Sequence, residues 1–167
     1  MSWSRLAWLL PVALVAVLAG CSGFRPVYGD VASASNPQGY RFHYAAPASR
    51  LDQIVYNELR LRLGPNSNEP DALQVTVSAW SGARGLTRTA VSKPVTTNEM
   101  IVYASYTVAT PTGEVLVSET RSASGLYTTR DQVLGDVEGQ NEAAERGAKA
   151  VSDTVRLGIL GALARLR

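Results

Sequence analysis

Few side chains in this chain of 167 residues have types and spacing suited to covalent chemistry. One cysteine, Cys21, and one histidine, His43, are present. A zinc site of the usual type or a serine–histidine–acid triad would have to use that single imidazole. The spacing positions no pair of carboxylates as general acid and base, although several are present: Glu114, Glu119, Asp131 and Asp136. The sequence therefore predicts that the protein is not an enzyme and holds no metal.

The surroundings of Cys21 predict a covalent modification of its thiol. An apolar run over residues 6–17 follows Arg5 and closes on Leu18-Ala19-Gly20-Cys21. A charged start, a short apolar middle and small residues at the end outline a secretory signal peptide. The run is shorter than the roughly 18–20 residues that a spanning helix needs. A cysteine directly after Leu-Ala-Gly resembles the lipobox of bacterial lipoproteins, which are cut before the cysteine and acylated on it; the alternative is an ordinary signal peptide with a chance cysteine.

The lipobox divides the chain into three parts. Residues 1–20 would be a signal peptide removed between Gly20 and Cys21, residues 21–39 a lipidated N-terminus and tether, and residues 40–167 the folded domain. Two or more acyl chains give a stable membrane anchor, whereas one binds only marginally. The lipid on Cys21 would also occupy the thiol that a disulfide or a cysteine-based metal site requires. Ser22, by a sorting rule that the resemblance implies, favours the outer membrane over the inner one.

The charge of the mature chain argues against nucleic acid as a partner. Loss of Arg5 with the signal lowers the formal net charge from +2 to +1. A nucleic-acid-binding domain usually carries a strong basic excess.

The best-marked element is a helix that begins after Ser49. Ser49 can cap the free N–H groups of the first turn, and Asp52 can reach back to the cap. Gly64-Pro65 ends the helix. Five apolar residues recur at helical spacing and predict one buried stripe: Leu51, Ile54, Val55, Leu59 and Leu63.

Alternating segments predict four strands. Residues 40–44 place His43 on the polar face, which favours a solvated strand residue over a catalyst. A second strand covers residues 73–79 and continues toward residue 89, with bulges expected at Gly82 and Gly85. Residues 100–108 and 114–120 form a hairpin, which residues 122–127 would extend. The last three strands read as a meander, with the first strand added at an edge.

A closing helix follows, with alanine, valine and isoleucine on one face from residue 144 to residue 162. Three glycines inside it, Gly147, Gly158 and Gly161, each cost about 1 kcal/mol relative to alanine and therefore suggest close packing against the sheet. The order strand, helix, three strands, helix predicts an α+β two-layer sandwich. Its antiparallel or mixed four-stranded sheet would carry both helices on one face and leave the other face free.

The mature start resembles that of the LPS-assembly lipoproteins of alphaproteobacteria, the LptE family. The resemblance rests on Gly23-Phe24-Arg25-Pro26-Val27-Tyr28-Gly29, one residue after the lipobox cysteine, and weaker likenesses follow along the chain. These are the Leu51-Asp52 to Leu63-Gly64 helix, the Leu73-Gln74-Val75-Thr76-Val77 strand, the Ala104-Ser105-Tyr106-Thr107-Val108 strand and the Ala-Glu-Arg-rich closing helix. The inserted Ser22 and the glycines at 158 and 161 depart from the family pattern.

The resemblance implies a lipid-anchored outer-membrane protein on the periplasmic side that plugs the lumen of the LptD β-barrel. Such a protein helps the barrel assemble and delivers lipopolysaccharide to the cell surface without bond chemistry. Phosphorylated lipid heads favour arginine and lysine, so the local basic stretch Arg84, Arg88 and Lys93 is a candidate lipopolysaccharide contact. A solvated basic loop is the plainer interpretation. The alternative function is an accessory lipoprotein of another envelope lipid-transport or barrel-assembly machine.

Overall fold

The computed structural model describes residues 39–86, 96–130 and 132–166. These residues form β1 (Phe42–Tyr44), α1 (Arg50–Leu63), β2 (Leu73–Gly85), β3 (Thr96–Ala109), β4 (Val115–Thr129) and α2 (Val133–Arg165). One sheet has the strand order β1–β2–β3–β4, with β1 parallel to β2 and the other pairs antiparallel. The predicted α+β fold is confirmed, with β1 at the edge. The predicted signal peptide, the tether up to residue 38 and the modification site at Gly20 and Cys21 lie outside the described residues.

Helix α1 begins and ends where local chemistry predicts. The Ser49 hydroxyl accepts a hydrogen bond from the N–H of Asp52, and the Asp52 carboxylate accepts one from the N–H of Ser49, which completes a capping box. At the other end Gly64 takes a φ of 124°, a conformation that side-chain-bearing residues rarely adopt. Each signal lies within a few residues of the helix end that it defines, so both ends of α1 can be predicted from the sequence.

Both helices pack on the same face of the sheet. Alternate residues of β3 are buried beneath them, from Met100 to Val108, and Val75 and Ala79 of β2 share that face. The largest fully buried side chains come from both layers: Phe42, Val55, Leu59, Leu63, Val75, Val102, Tyr106, Val108, Val151, Val155, Ile159 and Leu163. Burial of these apolar side chains is the main driving force for joining the layers.

Two of the five glycines in α2, Gly147 and Gly158, bring the helix close to the sheet. A Cβ on Gly147 would lie 2.6 Å from a methyl carbon of Val102, and one on Gly158 would lie 2.1 Å from the hydroxyl oxygen of Tyr106. Only a residue without a side chain fits at either position. A Cβ on Gly161 would approach only the Arg165 side chain, at 4.0 Å. The predicted close packing is confirmed at Gly147 and Gly158 and is wrong at Gly161.

The strands are more regular than the sequence suggests. β2 pairs with β3 one residue to one from Gln74 to Gly85, so the bulges expected at Gly82 and Gly85 are wrong. The irregularity lies instead between Val108 and Ala109, where β3 meets the start of β4. β4 runs to Thr129, which confirms the expected extension beyond the hairpin. The proposed continuation of the second strand through residues 87–89 lies outside the described residues.

Candidate functional site

The face of the sheet turned away from the two helices, here called the open face, changes character along its length. Near the start of β2 it carries hydroxyl side chains, which lie opposite one another in the strand register: Thr76, Ser78, Ser105, Thr107, Ser118 and Thr120. Toward the end where β2 finishes and β3 begins, here called the distal end, the open face carries large apolar and aromatic side chains beside one ion pair. Trp80, Ile101, Tyr103 and Leu126 lie there, together with the pair Arg84 and Glu99.

A stacked aromatic pair is the main feature of the open face. Trp80 of β2 lies opposite Tyr103 of β3, with ring centroids 5.6 Å apart and planes inclined by 15°. β1 stops opposite Val75, so no strand lies beside Trp80 on its outer side in the described part of the chain. The Trp80 side chain is 48% exposed as a result. A large exposed aromatic surface on a rigid strand is suited to contact with a partner.

Sequence patterning alone did not identify this pair. Trp80 follows Gln74, Thr76 and Ser78 at alternate positions of β2, so it shares their polar face. That position is the sequence signal that its large aromatic ring lies away from the core. The partner of Trp80 follows only from the β2–β3 register, which pairs residues 23 positions apart.

Arg84, the described member of the predicted lipopolysaccharide contact, is held by an acidic neighbour at the distal end. Its guanidinium donates hydrogen bonds to Glu99 Oε2, with the Nε–Oε2 distance at 3.1 Å. The hydrogen bond from the Ser124 hydroxyl, followed by that from Arg84, lowers the pKa of Glu99 below its usual value. Arg84 therefore offers a neutralised rather than a free charge. Arg88 and Lys93 lie outside the described residues, so only one of the three candidate contacts has a described position.

A cleft of about 570 Å³ opens between the end of β4 and the first turns of α2. Arg146 crosses it, donating to the Leu126 carbonyl at 3.0 Å and pairing with Glu142. Asp136 accepts a hydrogen bond from the N–H of Arg130 at 2.9 Å. These interactions fasten α2 to the outer side of β4. The side chains of Asp136, Glu142 and Arg146 in the cleft are thus committed to holding the fold.

Two of the remaining chemistry-bearing residues, His43 and Glu119, have structural partners. His43 Nδ1 lies 3.1 Å from the Ser67 carbonyl, so the half-buried imidazole joins β1 to the loop after α1 instead of standing fully in solvent. Glu119 accepts from Tyr106 at 3.0 Å and from Arg121. Asp131 lies outside the described residues, and Glu114 is exposed in the β3–β4 turn. Residues 39–86, 96–130 and 132–166 contain no cluster of histidine, cysteine and carboxylate side chains able to hold a metal ion.

Neither described helix has the length and apolarity that crossing a bilayer requires.

Comparison with solved structures identifies the fold. A rare lipoprotein B from Shewanella oneidensis matches with a TM-score of 0.60 and 13% identity, covering 76% of this chain and 97% of that one. A candidate lipoprotein from Caulobacter crescentus CB15 matches with a TM-score of 0.54 and 18% identity, covering 75% and 92%. A minor lipoprotein from Acinetobacter baumannii gives 0.53 and 12%, covering 75% and 94%. This chain has the fold of these lipoproteins. No protein-family model matches the sequence, and no curated protein does.

Proposed function

We propose that this chain is an outer-membrane lipoprotein of the LptE type, which plugs the LptD β-barrel and assists its assembly in lipopolysaccharide transport. The observation that carries the proposal is the combination of a lipobox at Cys21 with a described domain that has the fold of solved lipoproteins. The resemblance to the alphaproteobacterial members rests on the sequence, on residues 23–29 and on the weaker likenesses along the rest of the mature chain. The role is binding, without catalysis and without a cofactor other than the lipid on Cys21.

The open face supports a position inside a barrel. The lumen of an outer-membrane barrel is lined by polar side chains, because its apolar band faces the lipid. The hydroxyl groups of the open face, such as Thr76, Ser105 and Thr120, can exchange hydrogen bonds with such a wall. Trp80 and Tyr103 add a rigid aromatic contact at the distal end. A sheet with one face covered by helices and the other polar and accessible suits a plug.

Lipopolysaccharide is the second proposed partner, with Arg84, Arg88 and Lys93 as the contacts. Phosphate groups favour arginine and lysine. Because Glu99 already binds Arg84, we assign the larger share of phosphate binding to Arg88 and Lys93.

The experiment that tests the main proposal is a mild-detergent pull-down of the full chain from the native outer membrane through a C-terminal tag. Recovery of one large β-barrel in about equal amount supports the plug. A control variant, Cys21→Ser, removes the lipid anchor and should reduce recovery from the membrane fraction. Recovery of an inner-membrane transporter or of another assembly machine, with no such barrel, would move the assignment to the alternative accessory role.

A further inference from the structure

The outer edge of β2 is covered only at its start. β1 pairs with Leu73–Val75, where the N–H of Leu73 donates to Arg41 and the carbonyl of Val75 accepts from Ala45. The N–H and carbonyl of one strand residue point to the same side, so the odd-numbered residues of β2 direct both groups outward. The next outward N–H with a partner belongs to Ala79, which donates to the Asp52 carboxylate at 2.6 Å.

Beyond Ala79 the edge is open. The outward groups of Ser81, Ala83 and Gly85 have no hydrogen-bond partner within residues 39–86, 96–130 and 132–166. Residues 81–86 are exposed on both faces, so the helix layer leaves room beside them. This stretch has small side chains, no proline and no bulge, and the charge of Arg84 is neutralised by Glu99. Natural sheets normally protect an edge of this kind with a proline, a β-bulge or an unpaired charged side chain.

The other edge of the sheet is covered at its end. On β4 the Leu126 carbonyl accepts a hydrogen bond from Arg146, and the cleft beside it is crossed by side chains of α2. The outward backbone groups of Ser118, Thr120 and Ser122 on β4 have no hydrogen-bond partner within the described residues, as on β2 beyond Ala79. The choice of β2 as the paired edge therefore rests on its side chains.

We propose that this edge pairs with the same edge of a second copy of the chain, antiparallel and centred on Ala83. The two Ala83 residues would exchange both of their backbone hydrogen bonds, and Ser81 of each copy would pair with Gly85 of the other. The result is an isologous interface that joins two four-stranded sheets into one of eight strands. The inference rests on the geometry of β2 and describes the chain outside a barrel, because the dimer covers the Trp80 side chain that the proposed function places against the barrel wall.

In this register the side chains of the two copies are complementary. On the open face, Trp80 of one copy lies opposite Leu86 of the other, so the two exposed apolar side chains, 48% and 46% accessible in the single chain, cover each other twice. Arg84 lies opposite Gly82, so no like charges face each other and the long side chain has space. This self-complementarity favours a second copy over an unrelated extended segment.

The first test removes the outward N–H of Ala83 and leaves the β2–β3 ladder intact. Sedimentation equilibrium of the full chain in density-matched detergent should show a concentration-dependent dimer. Ala83→Pro should raise its dissociation constant at least about tenfold, because symmetry removes two hydrogen bonds at once. Ala83→Ser keeps the N–H and is the matched control, with an unchanged constant. A wild-type chain that stays monomeric, or equal dimerisation of the proline and serine variants, would overturn the proposal.

The second test remains decisive if Ala83→Pro does not fold. In the hydrogen-bonded antiparallel pair the two Cα atoms at position 83 lie about 5.5 Å apart, within the range that a disulfide spans. Ala83→Cys should therefore cross-link to itself under mild oxidation of the purified full chain in detergent. Ser118→Cys, which is exposed on β4, is the matched control and should not cross-link. The wild type measures the background cross-linking through Cys21. Cross-linking at position 118 as efficient as at position 83 would contradict the proposed interface.

Discussion

Gly158 of α2 lies directly against the hydroxyl group of Tyr106 on β3. A Cβ at position 158 would come within 2.1 Å of the hydroxyl oxygen and 3.1 Å of the ring carbon that bears it. The hydroxyl cannot simply turn away, because it donates a hydrogen bond to Glu119 at 3.0 Å and Arg121 binds the same carboxylate. The absence of a side chain at position 158 thus lets a polar network form under the helix.

Gly158→Ala should lower the free energy of unfolding. Overpacking costs about 1–3 kcal/mol, and at so short a contact we expect the upper part of that range. The higher helix propensity of alanine offsets about 1 kcal/mol, which leaves a net loss of about 1–2 kcal/mol. Urea denaturation followed by circular dichroism measures the difference.

Gly161→Ala is the matched control in the same helix. A Cβ there would meet only the flexible Arg165 side chain, so the substitution should stabilise the domain by about 0.5–1 kcal/mol. In a Tyr106→Phe background, where the hydroxyl is absent, Gly158→Ala should cost less than in the wild type. An equal cost in both backgrounds would show that the hydroxyl contact is not the cause.

Asp52→Ala should be among the most destabilising single changes in the domain. The buried carboxylate accepts hydrogen bonds from the N–H groups of Ser49 and Ala79, and thereby joins the start of α1 to the edge of β2. Its loss leaves the N–H of Ala79 without its acceptor and removes the capping box, for an expected cost of about 2–4 kcal/mol. Asp52→Asn keeps one acceptor oxygen and should cost less.

Asp136→Ala provides the comparison for Asp52, since Asp136 also lies in the first turn of a helix and accepts from a backbone N–H. Its bond to Arg130 is exposed, so the expected loss is below about 1 kcal/mol. Equal losses at the two positions in the same denaturation experiment would indicate that the contact with β2 contributes nothing.

The features predicted correctly from the sequence are those whose causes are local. Ser49 and Asp52 define the start of α1 from three residues apart, and Gly64 defines its end. The strands were visible because alternation places every second side chain on the core face. Local signals failed at Gly82 and Gly85, where glycines that looked like bulges sit in a regular ladder because pairing with β3 satisfies the backbone there.

The candidate site required the register between strands, which no local signal carries. Trp80 meets Tyr103 only because β2 pairs with β3 in one particular alignment, and the same alignment gives Arg84 its partner Glu99. A shift of the β2–β3 register by one residue would place the Trp80 side chain on the core face of the sheet. The glycines in α2 predicted close packing at Gly147 and Gly158, but the sequence did not indicate that the contacts would be Val102 and Tyr106.

Glu99 should titrate below an ordinary glutamate. The Ser124 hydroxyl first, and then Arg84, stabilise its charged form, so the pKa of the folded state lies below that of the unfolded chain. The stabilisation is therefore present above the unfolded-state pKa and is lost as the pH falls through the folded-state value. Carbon-13 NMR of the side-chain carboxyl measures the midpoint. Ser124→Ala and Arg84→Ala should each move it upward, and an unmoved midpoint in both would contradict this account.

Arg84→Ala should reduce lipopolysaccharide binding less than the double variant Arg88→Ala/Lys93→Ala. Glu99 neutralises Arg84 in the folded chain, so an approaching phosphate must compete for it. We expect less than about a twofold change for the single variant and about a tenfold loss for the double one. Fluorescent lipopolysaccharide titration of the full chain in detergent measures both. Unchanged binding in a triple variant would remove this stretch as the contact.

Trp80→Ser should weaken recovery of the proposed barrel partner without unfolding the domain. The stacked pair with Tyr103 is worth about 0.5–1.5 kcal/mol to the fold, a modest part of domain stability. An aromatic side chain that acts as an interface hot spot contributes about 2 kcal/mol or more, so the amount of barrel in the pull-down should fall at least about tenfold.

Leu61→Ser is the matched control for Trp80→Ser, because Leu61 is a large apolar side chain that is 75% exposed on α1, in the helix layer on the other side of the sheet. Its loss should leave the recovered barrel unchanged if the open face is the side that meets the wall. Circular dichroism of both variants verifies that each is folded. An equal fall in both would place the contact surface elsewhere, and a fall with Leu61→Ser alone would assign it to the helices.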